Sequence, residues 1–332
     1  MSLLSTVSAG VSAGAARGRG ELGRRAVTTV LGACGTIVAS SFVIFLALSN
    51  APGDPVAGLL GAKSTDAARA AKRAELGLDD PLLVRYWHWL TDALHGDFGT
   101  SVVFRQDVAG LIGPRLETTL LLVALASVLM LAAGISLGVA GGVSRRWRSL
   151  VSAAVGLGIS VPAFVAAGFL TSVFAVSLGW FPTFGAGVGL LDRIHHLALP
   201  AVALSIGYGA YIAQLTSAAV HEESGKEHVE TSRGRGISER RILRAHILTN
   251  AALPVMTASG LAIAGLVTGA VVVEEAFAID GIGSLLVKSI SSKDYSVVLA
   301  VSLVIVTVFV VMTTIIDIAQ AFLDPRQRGA VR

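Results

Sequence analysis

Six long stretches of the chain contain no Asp, Glu, Lys or Arg: 26–50, 118–144, 149–191, 197–220, 245–273 and 295–316. A helix needs about 20 apolar residues, rising ~1.5 Å each, to cross a ~30 Å hydrocarbon core. Lipid offers no partner to an unpaired amide, so each stretch is predicted to be a helix. The block 149–191 is long enough for two crossings. Its segment Gly179-Trp180-Phe181-Pro182-Thr183-Phe184-Gly185 is a breaker with interfacial aromatics, which argues for a single span ending there.

Charge placement supports the same count. With the N-terminus inside and six spans, cytoplasmic segments hold Arg17, Arg19, Arg24, Arg25, Arg145, Arg146 and Arg148. They also hold Lys226, Arg233, Arg235, Arg240, Arg241 and Arg244, then Arg326, Arg328 and Arg332, against Arg193, Lys288 and Lys293 in the short outside loops. A seventh span would move the 233–244 cluster outside, against the positive-inside tendency. Composition agrees: 53% of the 332 residues are hydrophobic and only 14% are charged, where soluble domains carry ~25%. The excess of 26 basic over 22 acidic residues comes without aromatic interleaving, which excludes a nucleic-acid reading. Cys34, the single cysteine, can form no intrachain disulfide and reads as a small packing residue.

The predicted fold is all-α and integral to the membrane. It comprises a cytoplasmic tail (1–25), a first span (26–50), an external subdomain (51–115), a five-span core (116–322) and a C-terminal tail (323–332). The external segment is too long to be structureless. It is expected to hold a helix near Asp66–Leu76, with Tyr86-Trp87-His88-Trp89 at the membrane interface or on the spans. The first apolar run exceeds the ~7–15 residues of a signal core, so it is read as an uncleaved anchor. Residues 1–20, Gly/Ala-rich, are expected to be disordered.

No Gly-x-x-x-x-Gly-Lys-[Ser/Thr] phosphate loop is present, so the chain is not its own ATPase. The informative cytoplasmic segment is 227–243, within a loop set at 221–252. It reads as a charged helix, a turn at Gly236 and a second helix capped by Ser238. A solvated loop is the plain alternative; docking into a partner's groove is the functional one.

The run Glu230-Thr231-Ser232-x-x-x-Gly236, followed by Leu253-Pro254, resembles the EAA loop of ABC-importer permeases, in the spacing of the dipeptide/oligopeptide type. The same resemblance runs through Ala51-Pro52-Gly53-Asp54-Pro55, Leu76-Gly77-Leu78-Asp79-Asp80-Pro81 and Gly96-Asp97-Phe98-Gly99-Thr100-Ser101. It continues in Leu178-Gly179-Trp180-Phe181-Pro182, Val271-Val272-Val273-Glu274, Gly281-Ile282-Gly283 and Asp324-Pro325-Arg326. The Pro-Gly-Asp-Pro segment and long external loop resemble the B-type permease of such systems. The resemblance implies a second homologous permease, two P-loop ATPase subunits that bind ATP and Mg, an external substrate-binding protein and a peptide cargo. This chain would hold no cofactor. Glu230, Thr231, Ser232, Gly236 and Ile237 would couple to the ATPase, Glu230 as polar anchor and Gly236 as the turn. Departures are Thr231 and Ser232 in place of the two alanines, and Gln214 and Ser217 where arginines are expected. Nickel chelates or glutathione are alternative cargoes of the same machine.

Pathway or gate candidates are Glu274, Glu275, Gln214, Ser217 and Asp317, since intramembrane polar groups face protein or water. A secondary transporter is disfavoured because the external loop has no counterpart in the second half. Gly134-Ile135-Ser136-Leu137-Gly138 matches a hydrolase elbow, but lacks a preceding strand and reads with Gly142 as a packing face, as does Gly265–Gly269. His195-His196 lack a third ligand, so no metal site is expected.

Overall fold

Residues 3–50, 64–75 and 77–323 are described by a computed structural model. The 51–55 and 324–326 motifs and Leu76 lie outside these residues. In chain order the helices are α1 (Leu3–Ser49), α2 (Asp66–Glu75), α3 (Leu82–Leu94), α4 (Val108–Val143), α5 (Arg145–Ser160) and α6 (Ala163–Leu170). They continue as α7 (Leu190–Ser224), α8 (Glu227–Gly234), α9 (Glu239–Ile242), α10 (Leu248–Ala276), α11 (Ile282–Ser291) and α12 (Tyr295–Leu323). Two wider π-helical turns, Thr171–Ser177 and Leu243–Ile247, extend α6 and join α9 to α10.

Among the described residues, five helical segments are long and apolar enough to cross a membrane: Val27–Ser49, Val108–Val143, Leu190–Ser224, Glu239–Ala276 and Tyr295–Gln320. The third predicted span differs. Arg146–Ser160 and Ala163–Ser177 meet at 100°, and taken as one broken span they bring the number to six. The break lies at Val161-Pro162, well before the glycine-aromatic breaker. Proline disfavours the helical region for the residue before it, and Val161 is extended at φ −90°, ψ 114°. At the other end of the chain, α1 reaches back to Leu3 rather than beginning near residue 26. The segment before the span is alanine-rich and proline-free, which lets the helix continue.

The centre of the bundle is α7, wrapped by α4 and α10, while α1 and α12 are the least enclosed. Leu122, Met130, Leu204, Ile212 and Leu266 fill the main core. Its most extensive seam joins α4 to α7, where Gly134, Gly138, Gly141 and Gly142 form a small-residue stripe. A β-carbon at Gly138 would meet Thr216 and the Ala213 carbonyl, and one at Gly142 would sit 2.7 Å from Val220 Cβ. Close backbone approach of this kind supplies the van der Waals contact that lipid cannot. Ser136, inside the hydrolase-like pattern, is exposed and donates back to the Ala132 carbonyl of its own helix. Gly265 and Gly269 pack likewise on Tyr208 and Leu204.

Between the first two membrane-crossing helices, α3 lies on α1. Tyr86 bonds Ser41 (2.8 Å) and the Val38 carbonyl (3.0 Å), and packs edge-on against Phe42 and Phe45. Of the aromatic run, Tyr86 is thus on the spans while Trp87 is exposed. Residues 97–108 form a small hairpin closed by a Thr100–Asp107 bridge. Phe98, Phe104 and Val108 pack it against Ile282, Leu285 and Val297 of α11 and α12.

Candidate functional site

The segment between α7 and α10 folds as a charged helix, a turn and a short second helix. Val229 and Ile242, both 0% exposed, anchor it on Val220, Ile247 and Ala251. Gly236 sits at φ +74°, the left-handed region that disfavours any side chain and excludes proline. Arg233 closes the turn, its Nε 2.9 Å from Glu239 Oε1. Buried Glu223 holds the base of the loop, pairing with Lys226 at 2.5 Å and His228 at 3.3 Å. Ser238 takes the N-cap backbone position but makes no side-chain cap bond.

The sequence-selected residues of this loop separate by exposure. Glu230, Thr231 and Gly236 are exposed, Ile237 is half-buried against the loop's core, and Ser232 is buried, bonding the His228 carbonyl at 2.7 Å. Thr231 and Ser232 line an open groove with Glu227, His228, Arg235 and His246. The wall of that groove at His246 is the π-helical turn, a distortion that often marks functional positions. From Glu239 the helical path continues through the π-helical turn into α10 and ends at Ala276, with Pro254 inside it. Its 38 residues span roughly 57 Å at 1.5 Å each.

Near the Ala276 end lies Glu274, fully buried. Its Oε2 accepts from the amides of Gly283 (2.8 Å) and Ser284 (3.1 Å), and its Oε1 accepts from Thr119 Oγ1 at 2.5 Å. Thr119 also accepts from the Ile282 amide at 2.9 Å. The carboxylate thus caps the N-terminus of α11, where orphan amides and the helix dipole favour an anion, and ties α4, α10 and α11 together. Of the other candidates only Glu275 adjoins it. Glu275 is exposed next to it, Gln214 is exposed on α7, Ser217 is half-buried beside Gly141, and Asp317 is exposed on α12. No shared cluster joins these five residues.

Sequence reasoning passed over Thr119, Ser101 and Asp294. Asp294 is fully buried and accepts from Ser101 Oγ at 2.5 Å and the Val103 amide at 3.2 Å. Its position just ahead of the last apolar run was the available signal, since helix starts favour Asp. Among the described residues no group of three metal-ligating side chains is assembled. His195 contacts the Trp180 carbonyl and His196 pairs with Asp192.

Comparison with known proteins follows this architecture closely. Residues 109–329 match the family described as binding-protein-dependent transport system inner membrane component. Residues 23–123 match the N-terminal family of the same transport-system membrane components. The chain belongs to the binding-protein-dependent ABC permeases. This permease is 36% identical over 314 residues to the probable peptide ABC transporter permease protein y4tP of Sinorhizobium fredii, covering 92% of this chain and 98% of that one. It is 35% identical over 304 residues to the glutathione transport system permease protein GsiC of Shigella flexneri, covering 91% and 98%. In fold the permease resembles the MetNI methionine ABC transporter in its inward-facing form, with a TM-score of 0.51 and 20% identity over 67% of this chain and 96% of that chain. It is a multi-pass inner-membrane subunit of an ABC importer, a channel component rather than an enzyme.

Proposed function

We propose that the permease forms the pathway of an ATP-driven importer of di- or oligopeptides together with a second, homologous permease. Two P-loop ATPases dock on the loops of the two permeases, in this chain on 221–252, with Glu230, Thr231, Ser232, Gly236 and Ile237 at or beneath the contact. ATP and Mg bind in those partners, and this chain holds no cofactor. An external substrate-binding protein delivers cargo to the 51–115 side, and both termini lie in the cytoplasm. Gln214, Ser217, Glu275 and Asp317 are candidates to line or gate the path, and Glu274 to hold its external end.

The observation that carries this reading is the coupling loop: an exposed, charged helix–turn–helix on buried anchors, continuous with a membrane-crossing helix. ATPase closure pushing such a loop would move α10 as a rod, which alternates access by rigid-body motion. Peptide cargo is favoured by the name of the Sinorhizobium relative. Glutathione, itself a tripeptide, is the second reading, favoured by the Shigella relative.

Uptake by the complete complex in proteoliposomes tests both. Labelled di- and tripeptides are expected to accumulate only with ATP, and to keep accumulating when an uncoupler removes ion gradients. Loss of uptake on uncoupling at constant ATP would instead establish an ion-coupled transporter. Uptake of glutathione but of no other small peptide would select the second reading.

A further inference from the structure

A buried carboxylate lies at each end of the external helix α11, and each carboxylate takes a hydroxyl from a different segment. At its start Glu274 bonds Thr119 of α4. Beyond its end, the 289–294 turn is closed by the Asp294 amide on the Ser289 carbonyl at 2.8 Å. The Asp294 carboxylate there points away from its own helix, at the hairpin 97–108. Ser101 is itself fixed: its amide donates to the Gln106 carbonyl at 2.9 Å, and its hydroxyl accepts from the Phe104 amide at 2.8 Å.

Two details separate this contact from ordinary packing. Asp294 is 0% exposed and Ser101 3% exposed, so water does not screen the bond. The second oxygen, Asp294 Oδ1, has no hydrogen-bond partner among the described residues. A half-satisfied buried carboxylate is a poor device for stability alone, because desolvation opposes it. What it supplies is direction, since the Asp294 side-chain bonds seen here all go to the hairpin.

We propose that Asp294 is a positioning residue for transport, latching the external hairpin to α11 and, through the Glu274 cap, to the rod whose other end is the coupling loop. This rests on the importer reading above. A binding protein pressing on the external segment would then act on the ATPases through a continuous set of fixed contacts: hairpin, α11, Glu274, α10, loop. Cutting the latch removes the signal without touching either docking site.

The test uses the complete transporter in liposomes and compares ATP hydrolysis with and without the external binding protein, loaded with a mixed di- to pentapeptide pool and, separately, with glutathione. For Asp294→Ala and Ser101→Ala the expected result is unchanged basal hydrolysis with stimulation reduced about fivefold or more. The double variant is expected to lose no more than the stronger single one, as for two halves of one contact. Asp294→Asn, which keeps an acceptor oxygen, is expected to retain part of the stimulation. Full stimulation in both single variants overturns the latch, as does a parallel fall in basal and stimulated hydrolysis. If Asp294→Ala does not assemble, Ser101→Ala, which removes one hydroxyl, decides alone. A wild-type complex that neither load stimulates would overturn the peptide-importer reading, and the latch with it.

Discussion

At Glu274 every side-chain oxygen is engaged, by two amides of α11 and one hydroxyl of α4. Charge-assisted bonds of this kind are the strong class, and truncating the acceptor leaves three buried donors without partners. Glu274→Ala is therefore expected to destabilise the junction of α4, α10 and α11 by roughly 3 kcal/mol or more, read as a lower unfolding temperature in mild detergent. Glu274→Gln, which can still accept two of the three bonds, should fall less. An unchanged unfolding temperature with altered peptide selectivity would instead place the side chain in contact with cargo. The α4 glycines make a parallel point: a sequence pattern that imitates a hydrolase elbow is used for helix contact, with Ser136 on the outer side.

Among the elements, the helix–turn–helix of 227–242 was legible in the sequence because its determinants are local. A charge-rich octet and a glycine within 227–242 specify helix, turn and helix, and the structure has that order, with Ser238 at the N-cap position but without a side-chain cap bond. The broken third span was not legible. Pro162 is flanked by apolar residues on both sides, and proline within a membrane segment is tolerated or bent according to the packing around it. The Asp294–Ser101 contact was hidden for another reason, since its partners are 193 residues apart and no local spacing links them. Gly236 offers the prediction at this scale. Proline fixes φ near −65° and cannot adopt the +74° of this turn. Gly236→Pro is expected to leave the permease in the membrane, on its anchors Val229 and Ile242, while ATP hydrolysis no longer drives peptide uptake. Normal uptake by this variant in proteoliposomes would contradict the role given to the turn.

For the whole molecule, the helices divide by enclosure. α7 and α10 carry the core, whereas α1 and α12 leave most of their surface to lipid or to another subunit. Exposed Phe164, Phe169 and Val176 on the bent third span add to the uncovered apolar surface. The sequence's uneven charge, crowded into short segments between long neutral blocks, made the membrane architecture readable, since lipid excludes charge from whole spans at once. It could not say which faces meet which, because helix–helix choice in lipid rests on shape. On the function proposed above, this permease works only as part of an ATP-driven assembly. The direct measurement is purification of the tagged chain from its native host in mild detergent, with mass spectrometry of what accompanies it. Two P-loop ATPases and a second permease of the same family are predicted. A stable chain that is isolated without any ATPase, and that transports when reconstituted alone, would contradict the account.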